Sequence, residues 1–190
     1  MICRRRVEKL LERGKFQFSG SLRGDALLIC LGDTLLSFCQ QQTLVEPWLE
    51  SSLQKLYDSP IQNWNTFDLM PLQAVLCASR ETIILNGNLV GEIGTLSHMA
   101  RIGLFSHLSS PFIESNFKGH VTLELFNASP HIIRLIQGMP VAKIFLFKKC
   151  RSIFGNNKSW YGSDKEIGSL YYKEFGNIEN TRRDPNGGTS

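Results

Sequence analysis

The sequence predicts an all-β domain, a sandwich or distorted barrel, on three observations. Short strand-like segments recur from about residue 26 to residue 147, Asn, Gly, Ser and Pro turn signals separate them, and helical periodicity is scarce after the first 14 residues. Strands alternating with long helical patterns would instead indicate a parallel α/β sheet, and that pattern is missing.

Taken in order, residues 3–13 (CRRRVEKLLER) place Val7, Leu10 and Leu11 at helical spacing, and Gly14 supplies a stop. ALLICLG from Ala26 is an apolar run bounded by glycines, and TLLSFCQQQTLVEPW continues with a strand and a polar turn. Residues 50–62 read as a loop with a helical turn. Strands are then expected at Ala74–Ala78, Glu81–Leu85, Leu89–Ile93, Gly103–Leu108, Phe112–Glu114, His120–Asn127, His131–Leu135 and Val141–Phe147. The turns between them are marked by Asn86-Gly87, Asn116 to Gly119, Ser129-Pro130 and Gly138-Met139-Pro140. Residues 148–176 turn polar with scattered aromatics, and 177–190 reads as a disordered tail. The expected organisation is a single β domain over 1–176, opening on a helix in 1–14 and ending in a segment, 148–176, that could close over a site.

A chain of 190 residues suits one domain that buries about 70% of its unfolded surface, without help from disulfides or metal. A net charge of +4 is too mild, and too lacking in a recognisable module, for a nucleic-acid binder. It remains compatible with a small anionic ligand. The five cysteines have no C-x-x-C spacing, which argues against a disulfide framework and a thiolate zinc site. The basic start is followed by no apolar leader, and no run approaches the roughly 18 residues of a membrane span. A soluble, reduced, cytoplasmic protein is therefore expected. Phosphate loops, nucleophile elbows, H-E-x-x-H and the zinc-deaminase signature are missing as well.

Two features carry chemistry. In HVTLELFN, Val121, Leu123 and Leu125 alternate with His120, Thr122, Glu124 and Phe126, which puts a carboxylate in mid-strand. Such a residue is either solvated on a wet sheet face or a placed base. In GTLSHMARIG, Ser97 and Arg101 stand four apart, so one helical turn would bring a hydroxyl and a guanidinium to one side. That pair is either a short solvated helix or an anion site.

Together these pieces resemble the dCTP deaminase branch of the dUTPase superfamily, without a gap from about Leu85 to Phe147. That family has G-R-S-S-x-A-R-x-G, then I-D-x-G-[FW]-x-G, then V-T-L-E-x-x-N; here they stand as Gly94–Gly103, IESNFKG (113–119) and VTLELFN (121–127), at matching distances. ILNGNLVGEI, LIQGMPVAKIFLF and the opening helix extend the likeness. The resemblance implies the distorted β-barrel or jelly roll of the dUTPase-like type, and a zinc-independent deamination of a cytosine deoxynucleotide. It implies Glu124 as general base, Ser97 orienting the water and Arg101 hydrogen-bonding around the base and the carboxylate. Leu96, His98, Met99, Ala100, Glu114, Thr122, Leu123, Tyr161, Leu170 and Glu174 fall at substrate-binding positions. Magnesium bound through the nucleotide phosphates is implied as cofactor, and a homotrimer with sites between subunits as the assembly. The dUTPase branch usually has an aliphatic residue where this chain has Glu124.

Several phosphate-binding positions differ from the family pattern. Leu96 replaces an Arg, His98 a Ser and Glu114 an Asp, and Ser115-Asn116 replaces a Pro/Ala-Gly pair. Leu28 and Cys30 replace charged residues of an early strand, and Leu170 and Glu174 stand where Lys and Gln are expected. Two other readings follow from these changes: a non-catalytic nucleotide-binding or regulatory homologue, and a dUTP pyrophosphatase or bifunctional deaminase–pyrophosphatase.

Overall fold

The structure, a computed structural model, describes residues 1–41 and 44–149 together with Ser169 and Lys173. The elements are helix α1 (Arg4–Glu12), strands β1 (Phe16–Phe18), β2 (Leu22–Arg23) and β3 (Ala26–Ser37), helix α2 (Glu50–Gln54), strands β4 (Ile61–Gln62), β5 (Thr66–Leu69), β6 (Ala74–Leu85) and β7 (Leu89–Thr95), helix α3 (Ser97–Arg101), and strands β8 (Leu104–Phe105), β9 (Phe112–Ile113), β10 (Lys118–Asn127), β11 (Ile133–Ile136) and β12 (Pro140–Lys148). The protein is mainly β, as its sequence predicts. One curled antiparallel sheet runs β8-β10-β6-β3-β12-β7-β9, with β1 on β6 and β2 and β4 on β3; β11 and β5 form a separate pair.

The curl originates in β3. Its first half pairs with β12 and its second half with β6, and the β3–β6 register shifts between Leu31 and Leu35. Gly32 makes the crossing possible, because a Cβ there would lie 2.6 Å from the Ala78 carbonyl oxygen. Leu27, Ile29, Leu35, Val75, Ile83, Leu85, Leu123, Leu125, Ile144 and Leu146 fill the concave side and are fully buried or nearly so. Helix α1 adds Val7 to that core, and Ile2 is tied in by its N–H to Leu146 O at 2.8 Å.

Two expected strands, Ala74–Ala78 and Glu81–Leu85, prove to be one 12-residue strand, β6. Its alternation runs straight through Ser79 and Glu81, which are buried although polar. Their partners come from elsewhere in the fold. Glu81 Oε2 accepts the Cys30 N–H at 2.8 Å, and Ser79 Oγ donates to Glu81 O at 2.7 Å. Conversely, the expected Gly103–Leu108 strand shrinks to Leu104–Phe105, because the chain leaves the ladder at Ser106. The turn before β10 carries Asn116 at φ 70°, a left-handed backbone that Asn tolerates better than other side chains.

Candidate active site

Strand β10 positions Glu124. Its partners across the ladder place Glu124 opposite Leu76, and Leu76 opposite Leu36 on β3, so the three side chains form a row on the convex side of the sheet. Val121, Leu123 and Leu125 face the core, as the alternation predicts, while Glu124 is half-buried.

The segment after β8 holds this carboxylate. Glu124 donates its N–H to Ser106 O at 3.1 Å, and Leu108 donates its N–H to Glu124 Oε2 at 2.9 Å. Ser106 is in turn fixed by Thr95, the last residue of β7. Its N–H donates to Thr95 Oγ1 at 2.9 Å, and the two hydroxyls share a hydrogen bond of 2.8 Å. Ser106 is fully buried, so these bonds are shielded from water. Among the described residues, the hydrogen bond to the Glu124 carboxylate falls on Oε2.

Helix α3 begins directly after Thr95. It is the single helical turn the sequence predicts, seated by the N–H of Leu96 on Val141 O at 2.9 Å and closed by Gly103 at φ 85°. A Cβ on Gly103 would lie 2.8 Å from Ser129 Cβ, so the exit from the helix needs glycine. Ser97, His98, Ala100 and Arg101 are exposed, Met99 is half-buried against the core and Leu96 is buried. Among the described residues of this chain, no hydrogen bond or ion pair joins Ser97 or Arg101 to Glu124. Glu114 is exposed in the turn, where its carbonyl accepts the Phe117 N–H at 3.3 Å. Thr122 is exposed on the Glu124 side, whereas the Leu123 side chain is wholly in the core, leaving only its main chain for a ligand. Tyr161, Leu170 and Glu174 lie outside the described residues, as does nearly all of the segment expected to close over the site.

Thr95, Ser106 and Leu108 escape sequence reasoning because their relation to Glu124 exists only across strands. His107, between the two residues that hold Glu124, belongs with them: its Nδ1 is buried without a hydrogen-bond partner among the described residues. Burial raises the Tyr57 phenol from its ordinary value, a backbone hydrogen bond with Ser169 partly offsets this, and the negative charge of Glu124 adds a smaller rise.

A family described as dCTP deaminase-like matches residues 39–149, more than half of the chain. The chain is 28% identical over 119 residues to a "dCTP deaminase, dUMP-forming" of Methanoregula boonei, spanning 63% of this chain and 64% of that one, which is short of two thirds. It is 25% identical over 179 residues to a protein of the same description from Dictyoglomus thermophilum, covering 90% and 89%. Among solved structures, 2'-deoxycytidine 5'-triphosphate deaminase from Agrobacterium tumefaciens superposes with a TM-score of 0.59 at 13% identity, over 76% of this chain and 45% of that one, a likeness of fold.

Proposed function

Because the chain belongs to the dCTP deaminase-like family, we propose that it hydrolyses the C4 amino group of a cytosine deoxynucleotide, with dCTP the first substrate to test. Water adds at C4 while Glu124 Oε1 takes its proton. The same carboxyl then returns the proton to the departing nitrogen, so that dCTP and water become dUTP and ammonia. The observation that carries this reading is the grip of Leu108 on Glu124 Oε2, which fixes one oxygen and leaves the other for the proton.

Ser97 orients the water and Arg101 hydrogen-bonds around the base and the carboxylate. As the family resemblance implies a homotrimer with sites between subunits, we assign them to the Glu124 of a neighbouring subunit. Magnesium enters with the phosphates of the nucleotide. Among the described residues no three His, Cys, Asp or Glu side chains are grouped to hold a metal by themselves. The cytoplasm is the proposed location, which the free thiols of Cys3, Cys30, Cys39 and Cys77 suit. No helix among the described residues is long and apolar enough to cross a membrane.

The relatives' description as dUMP-forming favours a second reading, in which pyrophosphate is released after deamination. Glu114, in the turn before β10, is then the residue to mutate. Incubation of the purified chain with dCTP, dCMP, deoxycytidine and dUTP, with magnesium, tests both readings by ammonia and pyrophosphate. No ammonia from any cytosine compound would end the deaminase reading. Ammonia without pyrophosphate would end the bifunctional one.

A further inference from the structure

Three segments converge on the last residues of β10. Leu72 donates its N–H to Asn127 O at 2.8 Å, Ala128 donates its N–H to Gly103 O at 2.8 Å, and the Asn127 side-chain amide reaches His131 O at 2.7 Å. Each segment leaves large apolar side chains in water at this end of the sheet. Leu72 is 75% exposed, Ile132 56%, Ile102 52%, Met70 48% and Phe105 40%. Apolar residues scattered singly over a surface need no explanation, but a gathering of this kind marks an interaction surface.

Leu72 is the most informative member. The Gln73 N–H closes a turn on Met70 O at 3.1 Å, with Pro71 second and Leu72 third at φ 60°, the left-handed position where such a turn takes Gly or Asn. The turn has no room to relax. Its Leu72 N–H is tied to β10, and Met70 gives its own N–H to Gln73 Oε1 at 2.8 Å. The chain thus bears backbone strain to hold a leucine outward, and that side chain gains little burial within the chain. Strain that serves no contact inside the molecule points to one outside it.

The neighbouring charges narrow the choice of partner. The β11–β5 ladder sets Ile132 across from Met70, one step beyond Ile133 and Leu69, and Arg134 across from Asp68 on the same face. Arg134 and Asp68 neutralise each other through two hydrogen bonds of 2.7 Å. This face therefore offers a polyanion or a charged peptide no unanswered charge, and it suits a neutral apolar surface. We propose that it docks a second copy of this chain, with Leu72 as the anchor. A second copy brings a surface of that same kind. Continuity with the candidate site fits this as well, because Ile102 directly follows Arg101, the cation assigned above to the Glu124 of a neighbouring subunit. Only that last link rests on the proposed function.

Sedimentation velocity on the full chain, over a dilution series, compares wild type, Leu72→Gly and Ile132→Glu. Wild type should associate, and each variant should weaken the association about tenfold or more, as expected for an anchor in an apolar contact. Leu72→Gly has a second signature of opposite sign. In the dissociated chain its thermal midpoint should equal or exceed that of wild type, because glycine takes the turn without strain. A leucine kept for the fold would lower it, and that result overturns the anchor. A wild type that stays single at every concentration, as it would if another protein were the occupant, overturns the proposal. So does an association that either variant leaves unchanged. A wild type that associates through this face yet releases no ammonia from any cytosine compound upholds the docking face and ends the deaminase reading alone.

Discussion

Leu108 gives its main-chain N–H to Oε2 of Glu124 at 2.9 Å, and Ser106, two residues earlier, accepts the N–H of Glu124 itself. A carboxylate held at both its main chain and one oxygen has little freedom left, and placement of this kind is what general-base chemistry needs. The hold passes through Thr95. Thr95→Val keeps the shape but removes both hydrogen bonds to the buried Ser106. We expect a loss of about 1–3 kcal/mol, since a buried N–H and a hydroxyl lose their partner. Thermal unfolding should show it as a drop of about 2–4 °C for each kcal/mol. Turnover should fall by more than Tm alone explains, about tenfold or beyond, because Glu124 is less well placed.

Asn127 closes the strand that carries Glu124. Fully buried, it donates to Leu69 O at 2.9 Å and His131 O at 2.7 Å, and its oxygen accepts from Ser129 N–H at 2.9 Å and Ser129 Oγ at 2.8 Å. Asn127→Ala strands several of these groups and should cost about 3 kcal/mol or more. An unfolding free energy from chemical denaturation lowered by less than about 1 kcal/mol would show the network to be incidental.

The four free thiols among the described residues divide by burial. Cys3 is exposed and Cys39 half-buried, whereas burial pushes Cys30 up to about 11, with Glu81 adding to it, and Cys77 up to about 12. Alkylation followed by mass spectrometry at pH 8 should label Cys3 first, Cys39 more slowly, and Cys30 and Cys77 only on unfolding. Linkage gives the sign for stability. Both pKa values are raised in the folded protein, so this contribution is complete below the ordinary 9.0 and is lost as pH rises through about 11 and 12. The denaturation midpoint should decline across that alkaline window.

The proposed assembly has its own test. Glu124→Gln and Arg101→Ala subunits, each inactive alone, should regain activity when unfolded and refolded together, since a site drawing one residue from each subunit is intact in about a quarter of random pairings. Sites contained within single chains would regain nothing.

What the sequence reveals here is what local periodicity encodes. The alternation of Val121, Leu123 and Leu125 and the spacing of Ser97 and Arg101 both reappear in the structure, because each depends only on neighbours within a turn or a strand. Buried polar pairs hide from such reasoning. Ser79 and Glu81 look like a break in β6, yet the N–H of Cys30, distant in sequence, satisfies Glu81 in the interior. The surroundings of Glu124 hide for the same reason: Ser106 and Leu108 become its neighbours only through strand register and a chain that leaves the ladder at Ser106. The role proposed for Glu124 rests on the family likeness, whereas the hydrogen bonds that hold it are read from the fold.

The central claim is that Glu124 moves the proton in a deamination. Ammonia release from dCTP with magnesium, wild type beside Glu124→Gln at equal folded concentration, tests it most directly. Steady release by wild type and a loss of about 100-fold or more in the variant are expected, within the contribution of a positioned general base. Equal release from both proteins would contradict it.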